Sequence, residues 1–192
     1  MLKQLGVAIR LLIVMSVLTG LLYPLTVTGL AQIFLPFQAN GSLVVKNGKV
    51  IGSRLIGQNF SGPEYFHGRP SAAGENGYDG NSSGGLNLGP TNKQLIGAIT
   101  ERVKTIREQN GLIVDEPLPA DLVTTSGSGL DPDISPVAAL VQARRVAAVR
   151  GLDLNVVHRL IEKQITPKQF GLLGEARVNV LELNLAVDAI GK

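Results

Sequence analysis

The sequence predicts an α/β protein: one N-terminal transmembrane helix followed by a small mixed α/β extracytoplasmic domain. Three observations carry that prediction. First, Leu11 to Phe37, LLIVMSVLTGLLYPLTVTGLAQIFLPF, contains no charged residue, and roughly 20 apolar residues in a helix cross a hydrocarbon core of about 30 Å. Second, Lys3 and Arg10 precede this run, whereas the first charge after it is Lys46, so the positive-inside bias sends the following chain across the membrane. Third, helical periodicities alternate with short β-like runs in the remainder, the order expected of a small mixed fold. Residues 1–10 are therefore expected in the cytoplasm, 11–37 in the bilayer and 38–192 outside. A cleaved signal peptide has an apolar region of only about 7 to 15 residues before small residues at the cleavage site; the run is too long for that, which favours a retained anchor.

Within the span, Ser16, Gly20, Pro24 and Thr28 recur every four residues. They form a strip of small or polar side chains along which a second helix can approach closely. The competing reading is an anchor that tolerates Gly and Pro without a packing role. Pro24 lacks an amide donor and is expected to bend the helix, leaving a carbonyl to a neighbour or a nearby Thr hydroxyl.

After a polar link at Gln38–Gly41, Leu43–Val45 and Val50–Leu55 flank Lys46-Asn47-Gly48-Lys49, where Asn-Gly suits a type I′ hairpin turn. Residues 57–90 are dense in Gly, Asn, Ser and Pro, with Phe60, Tyr65, Phe66 and Tyr78 among them. A loop of that length is either functional or disordered, and its aromatic anchors favour an ordered surface. Leu95, Ile96, Ile99, Val103 and Ile106 have helical spacing, so Asn92–Gln109 is expected as a helix stopped at Asn110-Gly111. Leu122–Thr125 reads as a short strand. Ser135-Pro136 starts a helix that runs to Arg150 and stops at Gly151. Asp153 caps another through about Gln164, and Thr166-Pro167 begins a turn. Arg177–Val180 reads as a strand leading into a helix over Leu181–Ile190.

Charge narrows the function classes. The chain has a formal charge of +3, but Lys3 and Arg10 precede the span and all acidic residues follow it, leaving 16 basic and 15 acidic side chains beyond Phe37. That part is almost neutral, which gives no reason to invoke nucleic acid. With no cysteine there is no disulfide framework, thiol nucleophile or thiolate metal site.

The chemical motifs are mostly near misses. Gly48-Lys49 is followed by Val50, so no P-loop is present. Asp79-Gly80-Asn81-Ser82-Ser83-Gly84 begins like a calcium loop, but Pro90 stands where the bidentate Glu is required. Gly80-Asn81-Ser82-Ser83-Gly84 has the letters of a nucleophile elbow without its strand or helix. Ser126 lacks both flanking glycines. His67 and His158 are the only histidines, and neither has a second imidazole at metal-ligand spacing. His158 falls in a helix, where a structural role is expected, and His67 in the aromatic loop, where ligand binding stays open. Arg144 and Arg145 fall between apolar helix positions, so either both snorkel at the surface or Arg145 turns inward and pairs with Asp131 to fix the glycine-rich turn.

An ordered series of segments, LTGLLYPLTVTGLAQ, GSRLIGQNF, YFHGRPSA, SGGLNLGPTN, LVTTSGSGLDPDISP, QARRVA and LLGEARVNVLELNLA, resembles the KdpC family of the Kdp-type potassium-transporting ATPases, which are P-type pump complexes. The resemblance covers essentially the whole chain. It implies a non-catalytic partner of a channel-like potassium-binding subunit and a P-type ATP-hydrolysing subunit, needed for assembly and activity. The chain lacks a D-K-T-G phosphorylation motif, in agreement. The resemblance also implies a catalytic-chaperone role that raises the pump's affinity for ATP. The family's SGGSN loop, proposed to touch nucleotide, corresponds to Ser83, Gly84, Gly85, Leu86 and Asn87. Leu86 departs from that pattern, and the charge bias puts the loop opposite cytoplasmic ATP, so an indirect effect or a role at the outer potassium entrance is expected. On this reading the chain docks through the Ser16–Thr28 strip and the loop from Phe60 to Asn92, with Tyr65, Phe66 and Arg69 as contacts. The alternative is a membrane-tethered enzyme or sensor using His67, Arg69, Asp79 and Ser82.

Overall fold

The computed structural model describes residues 2–190. They divide into two compact units, one ending at Ile51 and one beginning at Gly52.

In the first unit, helix α1 (Leu2–Val17) continues through a π-helical segment (Leu18–Leu22) into α2 (Tyr23–Phe34). The π segment lies just before Pro24: the Tyr23 amide reaches back five residues to the Leu18 carbonyl. A proline ring crowds the carbonyl four residues earlier and removes one bond, and a wider turn accommodates both effects. The Thr26 hydroxyl donates to Leu22 O at 2.7 Å, one of the remedies expected for the disturbed ladder. The helix starts well upstream of Leu11, because Lys3, Gln4 and Arg10 continue it readily. It stops at Phe34 since Leu35, preceding Pro36, leaves the helical region (φ −137°). A single turn, α3 (Pro36–Ala39), follows. The 32 residues Lys3–Phe34 are long and apolar enough to cross a membrane, and none of that apolar stretch is buried by the chain itself. Strand β1 (Leu43–Lys46) pairs as expected with β2 (Lys49–Ser53), whose last two residues already belong to the second unit. Asn47 (φ +53°) and Gly48 (φ +75°) supply the two left-handed residues of the turn.

The second unit is built on α6 (Pro136–Arg150). Its alanines 138, 139, 143 and 147 are buried, and such short side chains let neighbouring elements approach closely. Around it lie α4 (Lys93–Asn110), the single turn α5 (Ala120–Val123), α7 (Leu154–Gln164) and α8 (Val180–Ile190). A three-stranded antiparallel sheet of order β3-β5-β4 completes the layer: β3 is Asp133–Ile134, β4 Ile165–Thr166 and β5 Arg177–Asn179. Val178 stands opposite both Ile134 and Ile165. It joins Phe66, Val146, Val157, Ile161, Leu183 and Val187 in one core.

Helix starts follow the sequence. Asn92 accepts from the Gln94 amide, Ser135 from Ala138 and Asp153 from Asn155, each satisfying one otherwise orphaned donor. The expected strand at Leu122–Thr125 is instead the helical turn α5, closed by Thr124 N–H to Ala120 O at 2.8 Å. Leu122 and Val123 are both buried, and so short an apolar pair does not distinguish a period of 2 from one of 3.6. The strand expected through Val180 stops at Asn179, whose side chain accepts from the Glu182 amide and so starts α8.

Candidate functional site

Residues 57–90 contain no strand or helix, so their backbone must find partners elsewhere. Side chains from the helices supply them. Asn184 accepts from the Phe66 amide at 2.8 Å and donates to the Phe66 carbonyl at 2.9 Å. Gln142 does the same for His67, at 2.8 and 3.1 Å. Each primary amide thus replaces a neighbouring strand. Arg145 donates to Tyr65 O at 2.9 Å, to Asn110 Oδ1 at 3.1 Å, to Gln142 Oε1 at 2.9 Å, and to Pro63 O. Arg150 donates to Glu64 O at 2.7 Å, pairs with Asp188 at 2.9 Å and lies 4.9 Å from the Tyr65 ring centroid. Two arginines and two amides therefore clamp Pro63 to His67 onto α6 and α8.

The inward-facing arginine is Arg145, 8% exposed, while Arg144 is exposed. The expected Arg145–Asp131 pair does not form. Asp131 is taken by Arg69 at 3.0 Å and by the Asp133 amide at 3.0 Å, and Arg145 is spent on the loop. The reason is geometric: carbonyls converge on the α6 face at Arg145, whereas Asp131 sits beyond the start of that helix. Phe66 also departs from its expected contact role. It is wholly buried in this chain's own core, leaving Tyr65 and Arg69 as the half-buried members of that trio.

Arg69 and Asp131 join the two glycine-rich loops. The Tyr78 hydroxyl donates to Arg69 O at 2.5 Å, and the Ser71 hydroxyl to Gly129 O at 2.5 Å. Gly84 N–H and the Ser83 hydroxyl both reach Ser128 O, at 2.8 and 2.9 Å. Gly129 (φ +68°) is required there, since a Cβ would lie 2.6 Å from Gly84 O. A Cβ on Gly85 would lie 2.8 Å from Gly127 O. The Ser83–Asn87 loop is thus packed flat on residues 126–129, with Ser83, Leu86 and Asn87 exposed.

Arg69 and Asp131 also line an open groove of about 830 Å³, together with Asp121, Asp133, Ser135 and Arg177 among others. Its charges are largely matched internally. Arg177 meets Asp133 at 3.0 Å, and Asp121 accepts from the Ser135 amide and hydroxyl at 2.6 and 3.2 Å. Burial raises the Asp133 carboxyl above its ordinary value, against the pull of Arg177. Burial likewise raises the Tyr78 phenol, with Asp131 adding to it. Carboxylates outnumber arginines along this wall, so the arrangement suits cationic or neutral neighbours better than phosphates.

Among the described residues, no side-chain hydrogen bond or ion pair joins His67, Arg69, Asp79 and Ser82 of the tethered-enzyme reading to one another. The His67 ring bonds Gly62 O through Nε2 at 3.0 Å, which makes Nε2 the protonated nitrogen. Burial lowers its pKa, the Gly62 bond opposes this, and the Arg145 charge lowers it further. Asp79 accepts from the Asn81 amide at 2.9 Å, and exposed Ser82 closes a turn on Asp79 O through its own amide. Ser16, Gly20, Pro24 and Thr28 are all exposed along the N-terminal helix. Sequence reasoning missed Gln142, Asn184, Arg150 and Asn110. For Asn184, the signal was a lone amide within the apolar run VLELNLAV.

The family model described as "KdpC: K+-transporting ATPase, c chain" matches residues 5–189. A relative from Acidobacterium capsulatum, named "Potassium-transporting ATPase KdpC subunit", is 57% identical over 186 residues, covering 97% of this chain and 98% of the relative. A protein of the same name from Gemmatimonas aurantiaca is 52% identical over 190 residues, 99% of this chain and 94% of that one. Another from Mycobacterium tuberculosis is 52% identical over 188 residues, 98% of this chain and 99% of its own length. The charge-free apolar run, the clamp and the glycine loops all lie within the matched residues, and the chain belongs to the KdpC family of K+-transporting ATPase c chains.

Proposed function

We propose that this chain is the membrane-anchored accessory subunit of an ATP-driven potassium uptake complex, with ATP hydrolysed on another subunit. The carrying observation is the family match over residues 5–189, which takes in the apolar helix and the folded unit together. The partners are a channel-like potassium-binding subunit and a P-type ATP-hydrolysing subunit. The helix anchors the chain with its basic end in the cytoplasm, and the α/β unit works outside. The loop from Phe60 to Asn92 supplies a preorganised docking surface, because its backbone is already fixed by Gln142, Arg145, Arg150 and Asn184; preorganisation reduces the ordering cost of binding.

Any effect on ATP affinity is indirect. Ser83 to Asn87 contains no Lys or Arg for a phosphate, and two backbone-directed contacts of that loop are made to Ser128 O. The test is deletion and complementation. Cells lacking this chain should lose uptake when external potassium is scarce, the intact gene should restore it, and the chain purified alone should hydrolyse no ATP. Normal uptake in the deletion strain, or turnover by the isolated chain, would contradict the reading.

A further inference from the structure

The connection from β4 to β5 leaves the sheet as a hairpin with an apolar, exposed tip. Thr166 stands opposite Arg177 at its base. Farther out, Gln169 and Leu173 exchange both backbone bonds at 2.9 Å, and Leu172 N–H reaches Gln169 O at 3.1 Å across the turn. Phe170 is 93% exposed, Leu172 84% and Leu173 60%. Phe170 (φ +53°) and Gly171 (φ +75°) are the two left-handed central residues of that turn. Asn, Asp or Gly suits the first of these positions. A phenylalanine there adds backbone strain and leaves its ring in water. The strain opposes the isolated fold and the exposed ring contributes nothing against it, whereas contact outside this domain would offset the cost.

We infer that this tip is a docking finger that seats Phe170, flanked by Leu172 and Leu173, in an apolar recess of another polypeptide of the pump complex. The inference rests on the accessory-subunit reading. Two observations select a protein recess over a lipid surface. Lys168 and Glu175 pair with each other at 2.9 Å, leaving little free positive charge for anionic headgroups. Residues 169–174 contain neither Trp nor Tyr, the aromatic types enriched at membrane interfaces, and no Lys or Arg to meet headgroups. An apolar centre with a self-neutralised polar base is the anatomy of a protein–protein contact, and the hydrogen-bonded turn holds it ready.

The test uses the full-length chain in the detergent-solubilised complex, with a photoreactive phenylalanine analogue at Phe170 and, separately, Phe170→Asn. Asparagine suits the left-handed turn, so the variant should melt no lower than the parent. Its dissociation from the complex should be at least about tenfold faster, as for loss of a buried aromatic anchor. The photoreactive chain should cross-link to another pump polypeptide. Labelling of lipid or a second copy of this chain alone, or unchanged dissociation of the Asn variant, overturns the docking finger while leaving the accessory role intact. A parent chain that co-purifies with no pump polypeptide overturns both.

Discussion

Arg145 gives the segment from Pro63 to His67 its shape. Its guanidinium satisfies Pro63 and Tyr65 carbonyls directly, and through Gln142 it steadies the amide that pairs with His67. Replacing it by Met keeps much of the volume but leaves those part-buried acceptors without their donor. Leaving one such acceptor without its donor costs about 1–3 kcal/mol, and Arg145 serves four of them. For a domain of this size that amounts to a fall on the order of 10 °C in melting temperature, measurable by thermal unfolding of the full chain in detergent. Arg145→Lys should recover less than half of the loss, because one ammonium cannot reproduce a fork spread over four acceptors. Neither the inward direction of this residue nor its partner was fixed by the sequence pattern: Val141 is only half-buried and Ala148 exposed, so the apolar flanks left surface snorkelling and an inward turn both open. Asp131 is near in sequence, yet Arg69, 62 positions away from it, fills that carboxylate. Which carbonyls face α6 depends on how residues 57–90 fold back, and no local pattern encodes that path.

At the scale of elements, the caps at Ser135 and Asp153 and the stops at Gly111 and Gly151 were readable because each is decided within a few residues, whereas Asn92, read as the first helical residue, is the cap of α4. Strands β3 and β4, two residues each, were not, since their existence depends on β5 arriving beside them. The N-terminal helix shows how a local departure serves a longer pattern. A spacing of four residues drifts by about 40° per step on a helix of 3.6 residues per turn, or about 120° from Ser16 to Thr28. A π turn between them absorbs about one residue, roughly 100°, so Ser16, Gly20, Pro24 and Thr28 return to nearly one face. Close approach of a partner helix along that face depends on Gly20, where an added Cβ meets nothing within 4 Å in the isolated chain. Gly20→Ile should therefore leave the chain's own unfolding unchanged while weakening its retention in the solubilised complex by roughly tenfold. Quantitative co-purification checks the prediction, and equal retention of variant and parent would remove the packing role of the strip.

For the whole molecule, the organisation follows from a division of solvents. Leu12 is 67% and Phe34 73% exposed on a helix that its own chain leaves bare, whereas Phe66, Ile161, Leu183 and Val187 are sealed inside the second unit. Water suits only the second arrangement, so the first unit requires lipid or protein around it. Lys3 and Arg10 at one end of the apolar run bias insertion towards a cytoplasmic N-terminus, the orientation proposed above. This is testable without background, because the chain contains no cysteine. Ser82 and Gln4 are both exposed, one on the glycine-rich loop and the other in the basic N-terminal turn. A membrane-impermeant maleimide added to sealed, right-side-out membranes should label Ser82→Cys at once and Gln4→Cys only after permeabilisation. The reverse pattern would put the loop on the side where ATP is found and reopen direct nucleotide contact at Ser83 to Asn87. The expected pattern confines this protein's influence on hydrolysis to what passes through the bilayer, by way of the helix and the partners packed against it.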